Sequence, residues 1–400
     1  MSASVWSVRR ARFCFEIQDR RGVDAPLASA TKEGVFLRDD LDFSVWNPDS
    51  NISNYKLVEP DDFVIGLRSF QHGLSHSAVT GLVSPAYTVL NCRADLYPGF
   101  YKHYFRSSIL VSQLANITQG IRQGQAIDIE SFRNLSVPVP PLEEQRRIAN
   151  FLDAETSRVD QIIAKRAEWR TLATERVHIA LADGLWGSAD SEVRLKHLLS
   201  RPMSYGANEP GGDVTEGWPR YVRATDISNR GNLRHDTYCS INPSVAQGYL
   251  LDDGDLLFVR SGATVGKSLL FRSEWGPAAH AGYLIRARVD GSIVDPALIW
   301  YFCQTSKYWE QIAEGSIQAT IQNVNAEKFG SIRVPVVAKE KQRKVLDYLN
   351  CEYANFVALQ DVAERQLVLL AERRQALITA AVTGQFDINT ASGRNLTQGV

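Results

Sequence analysis

Several things are scarce in these 400 residues, and each scarcity excludes a class of protein. No stretch of about eighteen apolar residues occurs, so a membrane-spanning helix is not expected. The amino end, Met1-Ser-Ala-Ser-Val-Trp-Ser-Val-Arg-Arg, lacks the apolar run of a secretory signal. A cytoplasmic location is the expectation. The five cysteines (Cys14, Cys92, Cys239, Cys303 and Cys351) are odd in number and far apart, which suits neither a disulfide framework nor a zinc site. They read as free thiols. Excess charge of one sign is missing too: the net charge is −1, so nucleic-acid contact would have to come from local patches or be shared with a partner.

Catalytic signatures are equally absent. An adenine methyltransferase needs an Asn/Asp-Pro-Pro-aromatic motif, and Asn47-Pro48-Asp49-Ser50 and Asn242-Pro243-Ser244 lack the second proline and the aromatic. Gly262 to Ser268 resembles a phosphate-binding loop but has three residues between its glycines where the motif needs four. The strand-like Leu269-Leu270-Phe271-Arg272 follows, so a hairpin turn is the better reading. His72 and His76 are four apart with Gly73 between them and no third ligand nearby, which argues against a metal site.

Two long segments contain neither proline nor glycine, and they match. Val137-Pro-Val-Pro-Pro-Leu-Glu-Glu-Gln-Arg-Arg opens a run that reaches Gly184, and Val334-Pro-Val leads through Glu340-Lys-Gln-Arg-Lys into a run that reaches Gly384. Aligning Gln145 with Gln342 gives an offset of 342 − 145 = 197, which also pairs Pro138 with Pro335, Leu152 with Leu349 and Arg176 with Arg373. The chain is a tandem duplication. Apolar residues recur every three or four positions in both runs: Ile148, Leu152, Val159, Ile163, Trp169 and Val177 in the first, and Val345, Leu349, Phe356, Ala363, Leu370 and Leu377 in the second. A proline start and a glycine stop are helix punctuation. Each run therefore predicts a rod of about 60 Å, at about 1.5 Å per residue over about 40 residues. Two such stripes predict an antiparallel coiled coil, with the intervening segment folding compactly to return the chain.

The segments preceding the rods are also alike. Asp61-Asp-Phe-Val-Ile-Gly and Asp253-Gly-Asp-Leu-Leu-Phe-Val-Arg each read as a turn feeding a buried strand, with Asp62 matching Asp255 at an offset of 193. Pro296 to Phe302 reads as a short helix, with Tyr101 to Leu114 taken as its counterpart. The expected architecture is mixed α/β (α+β): globular domains at 1–140 and 188–337, long spacer helices at 141–187 and 338–384, and a polar tail at 385–400.

At this point the chain resembles a known family, the specificity subunits of type I restriction-modification systems. The resemblance rests on Val137 to Ile148, on Gly81-Leu-Val-Ser-Pro-Ala-Tyr-Thr-Val-Leu90, on Asp253 to Leu257 and on the closing Ala381-Val-Thr-Gly-Gln-Phe-Asp387. It covers nearly the whole chain, in the family's order of recognition domain, helix, recognition domain, helix. Two departures, Val337-Ala338-Lys339 for Pro140-Pro141-Leu142 and Lys341 for Glu144, bear on the start of the second helix.

The resemblance implies a DNA-reading adaptor without chemistry of its own. Each globular segment would be a target-recognition domain for half of a bipartite double-stranded DNA target, with the helix pair fixing the gap between halves. The helices would dock two modification (methyltransferase) subunits, and endonuclease subunits would join in the restricting complex. S-adenosylmethionine, ATP and Mg would reside on those partners. A different class remains open, a coiled-coil partner-binding protein or degenerate solitary copy that no longer reads DNA; an enzyme acting alone is a third reading.

Base edges and phosphates are contacted by Arg, Lys, Asn, Gln, Ser and Thr on loops. The DNA-binding candidates in the first segment are Arg68, Ser69, Gln71 and His72, then Gln119, Arg122, Gln123 and Gln125. In the second they are Arg260, Ser261, Thr264 and Lys267, then Gln318, Thr320, Gln322 and Asn323, with Arg223 and Thr225 after the strand-like Tyr221-Val222. Both segments place Arg-Ser after the Asp-led strand and a Gln-rich turn before the rod.

Overall fold

The computed structural model describes residues 6–43, 45, 52–119, 126–314 and 323–386. Two compact units divide the chain: residues 1–165 with 365–400, and residues 166–364. Each unit thus contains one globular head and a part of each long helix.

Unit 1 begins with Ser7–Arg10 pairing antiparallel to Ser136–Val139, the strand that leads into the first rod. Its main sheet is antiparallel and four-stranded, in the order Phe15–Gln18, Thr88–Cys92, Phe63–Ile65, Ser75–His76. The helices Pro98–Tyr104, Ser108–Asn116 and Ile129–Arg133 follow. Phe63, Phe100, Tyr101 and Phe105 share one core with Ile148 and Leu152 of the first rod and Ile378, Ala381 and Val382 of the second. Burying a side chain of this size contributes about 1.5–3 kcal/mol, so the rods are integral to the head's core.

Unit 2 repeats the plan. Ser191–Arg194 pairs with Arg333–Val336, and the four-stranded sheet runs Ser204–Tyr205, Leu284–Arg288, Asp255–Val259, Ser268–Leu270. Because side chains alternate across a strand, Leu256 and Phe258 enter the core shared with the rods, while Leu257 and Val259 enter a second core behind the sheet. Both faces are covered, which is why Leu256 to Val259 reads as a continuous apolar run. The helix Pro296–Phe302 corresponds to Pro98–Tyr104, at an offset of 296 − 98 = 198, and not to Tyr101 to Leu114 as the sequence suggested. Five residues more than the 193-residue offset at the Asp-led strand account for that misplacement.

The rods span Leu142–Trp186 and Lys339–Val382. They run antiparallel within each unit. In unit 1, Asp160 meets Arg374, with Ile148 and Leu152 near the later residues Ile378 to Val382. In unit 2, Arg170 and Thr174 meet Gln360, and Gly184 lies against the earlier residue Tyr348. Gly184 does not stop the first helix. A Cβ there would sit 2.7 Å from the Tyr348 ring, so its glycine serves close helix crossing instead. Gly384 closes the second rod at φ +72°, a conformation that favours glycine.

The two rod starts keep the same register, 339 − 142 = 197, despite their different residues. Pro141 has no N–H to satisfy, whereas Ala338 does, and Asp190 accepts it at 2.8 Å while also pairing with Lys341. Among the described residues no helix is long and apolar enough to cross a membrane.

Candidate nucleic-acid interface

Framework and exposed residues separate clearly in each head. The amide of Gln145 is buried; it accepts the Tyr97 N–H at 2.7 Å and donates to Pro140 O at 2.8 Å. Gln342 makes the same clamp, accepting from Asp295 N–H at 3.0 Å and donating to Val337 O and Ile293 O at 2.9 Å. Each pins the start of a rod to the segment that opens the proline-led helix. Asp62 and Asp255 are likewise matched turn residues: the carboxylates accept the backbone N–H groups of Glu59 and Asp252. The residue before each has positive φ, Asp61 at 70° and Gly254 at 82°. A bidentate bond from Arg288 at 2.7 and 2.6 Å further holds Asp255.

In unit 2 the Asp-led strand ends at Val259 and delivers Arg260 and Ser261 to a hairpin that returns at Ser268. Gly266, at φ +87°, lets the return strand tuck against Trp309 and Ile312; no helix begins here, so the glycine-bearing stretch is the connector expected. The Arg260 guanidinium lies over the Tyr205 ring, 4.8 Å from its centroid, and its backbone O accepts the Val324 N–H at 2.8 Å. Ser261 bridges to Asn323, so candidates far apart in sequence are brought together: Arg260, Ser261 and Asn323 form one edge. Thr264 is exposed near the hairpin tip.

Other candidates are engaged inside the head. Lys267 donates to Ile227 O at 3.0 Å, and burial lowers its pKa. Arg223 makes a two-pronged bond to the fully buried Asp226, 3.1 Å on each side, and donates to Thr237 O at 2.7 Å. Thr225 between them is exposed. Tyr205 and Tyr283, exposed aromatics beside Arg260, were not among the candidates; the only sequence signal was their position next to Gly206 and Gly282.

In unit 1 the corresponding stretch is a helical turn, Ser69–His72, rather than a hairpin. Ser69 is buried and its Oγ accepts the Gly66 N–H at 2.9 Å, so it shapes the turn. Arg68 and Gln71 are exposed and His72 is half-buried. This turn packs on the helix Ser108–Asn116, after which the chain continues to the strand Thr118–Gln119. Arg122, Gln123 and Gln125, and Gln318, Thr320 and Gln322 in unit 2, lie outside the described residues. His76 bonds Asp61 at 3.0 Å. No group of three or more His, Cys, Asp or Glu able to hold a metal ion occurs among the described residues.

Residues 99–168 match the family model described as the type I restriction modification DNA specificity domain. The specificity subunit of the Escherichia coli K12 type I restriction enzyme EcoKI is 25% identical over 303 residues, 66% of this chain and 60% of that subunit. The chain therefore spans less than two thirds of that relative's length. The Salmonella potsdam StySPI specificity subunit is 20% identical over 90% of this chain and 81% of its own length. Among solved structures, a chain from work described as the structural basis of complex assembly and conformational transition of the type I R-M system matches with TM-score 0.70 and 20% identity, covering 94% of this chain and 97% of that one. The HsdS subunit from Thermoanaerobacter tengcongensis matches with TM-score 0.50 and 20% identity over 96% and 98% of the two chains. The fold is that of a duplicated specificity subunit, heads alternating with antiparallel helices. The chain is thus similar in sequence to type I restriction-modification specificity subunits over most of its length and shares the fold of the solved chains.

Proposed function

We propose that this chain is the DNA sequence-recognition subunit of a type I restriction-modification complex, in which each head reads one half of a bipartite target and the helix pair sets the gap between halves. The observation that carries this reading is the duplication itself. Two heads with the same sheet order and the same glutamine clamp are each fused to both helices. A duplicated reader suits a split site, because successive turns of B-DNA present like major-groove faces about 34 Å apart.

Base and phosphate contacts are assigned to the edges formed by Arg68, Gln71 and His72 in the first head and by Arg260, Ser261, Thr264 and Asn323 in the second, and from the sequence pattern also to Gln119, Arg122, Gln123, Gln125, Thr225, Gln318, Thr320 and Gln322. Ser69, Arg223 and Lys267 support these edges from within. The Arg260 guanidinium stacks on the Tyr205 ring, and an arginine held this way is suited to planar recognition of a base edge or phosphate.

The rods dock two modification subunits, and through them the endonuclease subunits; S-adenosylmethionine, ATP and Mg belong to those partners. Apolar side chains left exposed on the helices fit that role: Ile162, Val368 and Leu369 in unit 1, and Leu172, Ile179 and Leu359 in unit 2. In unit 2 a groove of about 670 Å³ lies between the helices, lined by Trp169, Leu172, Phe356 and Leu359. Co-expression with a cognate modification subunit, followed by genome-wide mapping of methylated adenine, tests the proposal. Expected is a bipartite motif with a constant gap; methylation that needs only the partner would contradict it.

A further inference from the structure

The two heads differ at one edge of the four-stranded sheet. In unit 1 the outer strand keeps its register: Phe15 faces Cys92 and, three residues on, Gln18 faces Val89. In unit 2 that register slips. Leu199 faces Val289 and Ser204 faces Arg286, so five steps along the outer strand (204 − 199) meet three along its partner (289 − 286). The two extra residues make a bulge that contains Arg201 and Pro202. An edge-strand bulge tolerates proline, since no ladder bond needs the missing N–H, and bulges at such edges re-aim side chains. Unit 1 has the uncharged Ile17 where Arg201 stands (201 − 17 = 184, the offset that also carries Ser7–Arg10 to Ser191–Arg194).

The bulge and the helix Ala326–Ser331 line a cavity of about 580 Å³ together with Arg194 and Lys196. Gly330 gives it room. A Cβ there would stand 3.3 Å from that of Lys196, and unit 1 has Arg133 at the matching place (330 − 133 = 197), tied to Glu130 at 2.9 Å. Three cations, Arg194, Lys196 and Arg201, line the cavity against one carboxylate, Glu327, an excess of two positive charges (3 − 1 = 2). All four are exposed, and none of the three cations makes an ion pair among the described residues. Neighbouring carboxylates are engaged with other groups. Asp252 and Asp255, which act with Arg201 on Arg286, hold Arg288; Asp190 holds Lys341; Glu192 accepts the Trp186 Nε1–H at 2.6 Å; and Asp290 accepts from Ser292 at 2.6 Å. Elsewhere in the unit, Arg230 pairs with Asp361 and, at 3.0 Å, with Glu364, which closes its loop on the second rod, and Arg234 pairs with Asp236 at 2.6 Å.

Tyr205 joins this cavity to the edge that carries Arg260. Its hydroxyl accepts the Ala326 N–H at 3.2 Å, and its ring lies against the Arg260 guanidinium. The basic cavity and that edge are adjacent parts of one head. We propose that Arg194, Lys196 and Arg201 contact the phosphodiester backbone of the DNA whose bases meet the Arg260 edge. The inference rests on the reading of unit 2 as a DNA-reading head and adds a phosphate-contacting surface to it. Such contacts fix orientation on the duplex without reading sequence, and exposed cations suffice for them.

The test uses the full chain in complex with its cognate modification subunit. The probes are a fluorescent duplex carrying the bipartite site found by methylation mapping and a second duplex with one half-site scrambled, each titrated at several salt concentrations. R201Q flattens the slope of log affinity against log salt by about 0.9, and the triple variant R194Q/K196Q/R201Q flattens it by about 2.7, one phosphate contact for each cation. Both variants keep the wild-type preference between the two duplexes. R201K keeps the wild-type slope, because a lysine serves a phosphate as a point charge. A triple variant with the wild-type slope would overturn the inference, and so would a changed preference between the duplexes, which would make these residues base readers. If the mapping yields no bipartite site, the reading of unit 2 falls first and this inference falls with it.

Discussion

In unit 1 the helix after Pro98 offers Lys102 and His103 to a carboxylate, Asp153; in unit 2 the helix after Pro296 offers Tyr301 to an amide, with its hydroxyl donating to Asn350 at 2.6 Å. One junction is polar and open, the other aromatic and closed by the Arg230 loop. Yet the frame around both is the same: the glutamine clamp, the Asp-led turn and the order of the four-stranded sheet. The difference shows that the duplicated frame depends on backbone groups and buried apolar side chains, which leaves the polar surfaces of the two heads free to diverge. That is the division of labour expected under the proposal that the two heads read different half-sites.

If the frame is equivalent, matched core changes should act alike, each in its own unit. Leu152 and Leu349 are both fully buried at matched positions, so Leu152→Ala and Leu349→Ala should each cost about 2–5 kcal/mol. Hydrogen exchange should place the loosening in unit 1 for the first and unit 2 for the second. Next come the clamps. Gln145→Leu and Gln342→Leu strand buried backbone groups, at about 1–3 kcal/mol for each group left unsatisfied. Urea unfolding should rank the two together; a large difference would mean the clamps are not equivalent.

A smaller effect should separate the units. Arg230→Ala removes the plug of unit 2, but its acidic partners are about half exposed, so the loss should be about 1 kcal/mol or less. Its signature is faster amide exchange at residues 228–231 and none in unit 1. The smallest effect is acid sensitivity. The bond from His103, then that from Lys102, holds Asp153 at about 2, against the opposing effect of burial. Burial keeps His103 itself below its usual pKa, its bond to Asp153 only partly offsetting this. A depressed carboxylate pKa contributes stability that is complete above the unfolded value, near 3.8, and is lost as pH falls towards about 2. Asn350 does not titrate, so the contribution of this junction belongs to unit 1 and should be removed by Asp153→Asn, while the lowered carboxylates Asp190, Asp236 and Asp290 of unit 2 keep theirs.

The rods were legible because a 3.6-residue apolar period runs through more than forty residues in each, with the glutamine and proline matches setting their register. Their ends were less so. Gly184 read as a stop because the sequence does not reveal that Tyr348 packs against it. The Asp-led strands were legible for a local reason, a turn carboxylate followed by residues buried on both faces. Residue type alone could not separate Arg260, which sits on an edge beside Tyr205, from Arg223, whose guanidinium is tied to Asp226. The open junction of unit 1 was invisible, since its walls come from positions as distant as His76 and Arg374.

The most direct measurement exchanges one head and maps methylation. Residues 188–337 are replaced by the same segment of a relative, and the chimera is co-expressed with the cognate modification subunit. The account predicts that one half-site changes while the other half-site and the gap are kept. A change in both half-sites, or in neither, would contradict it.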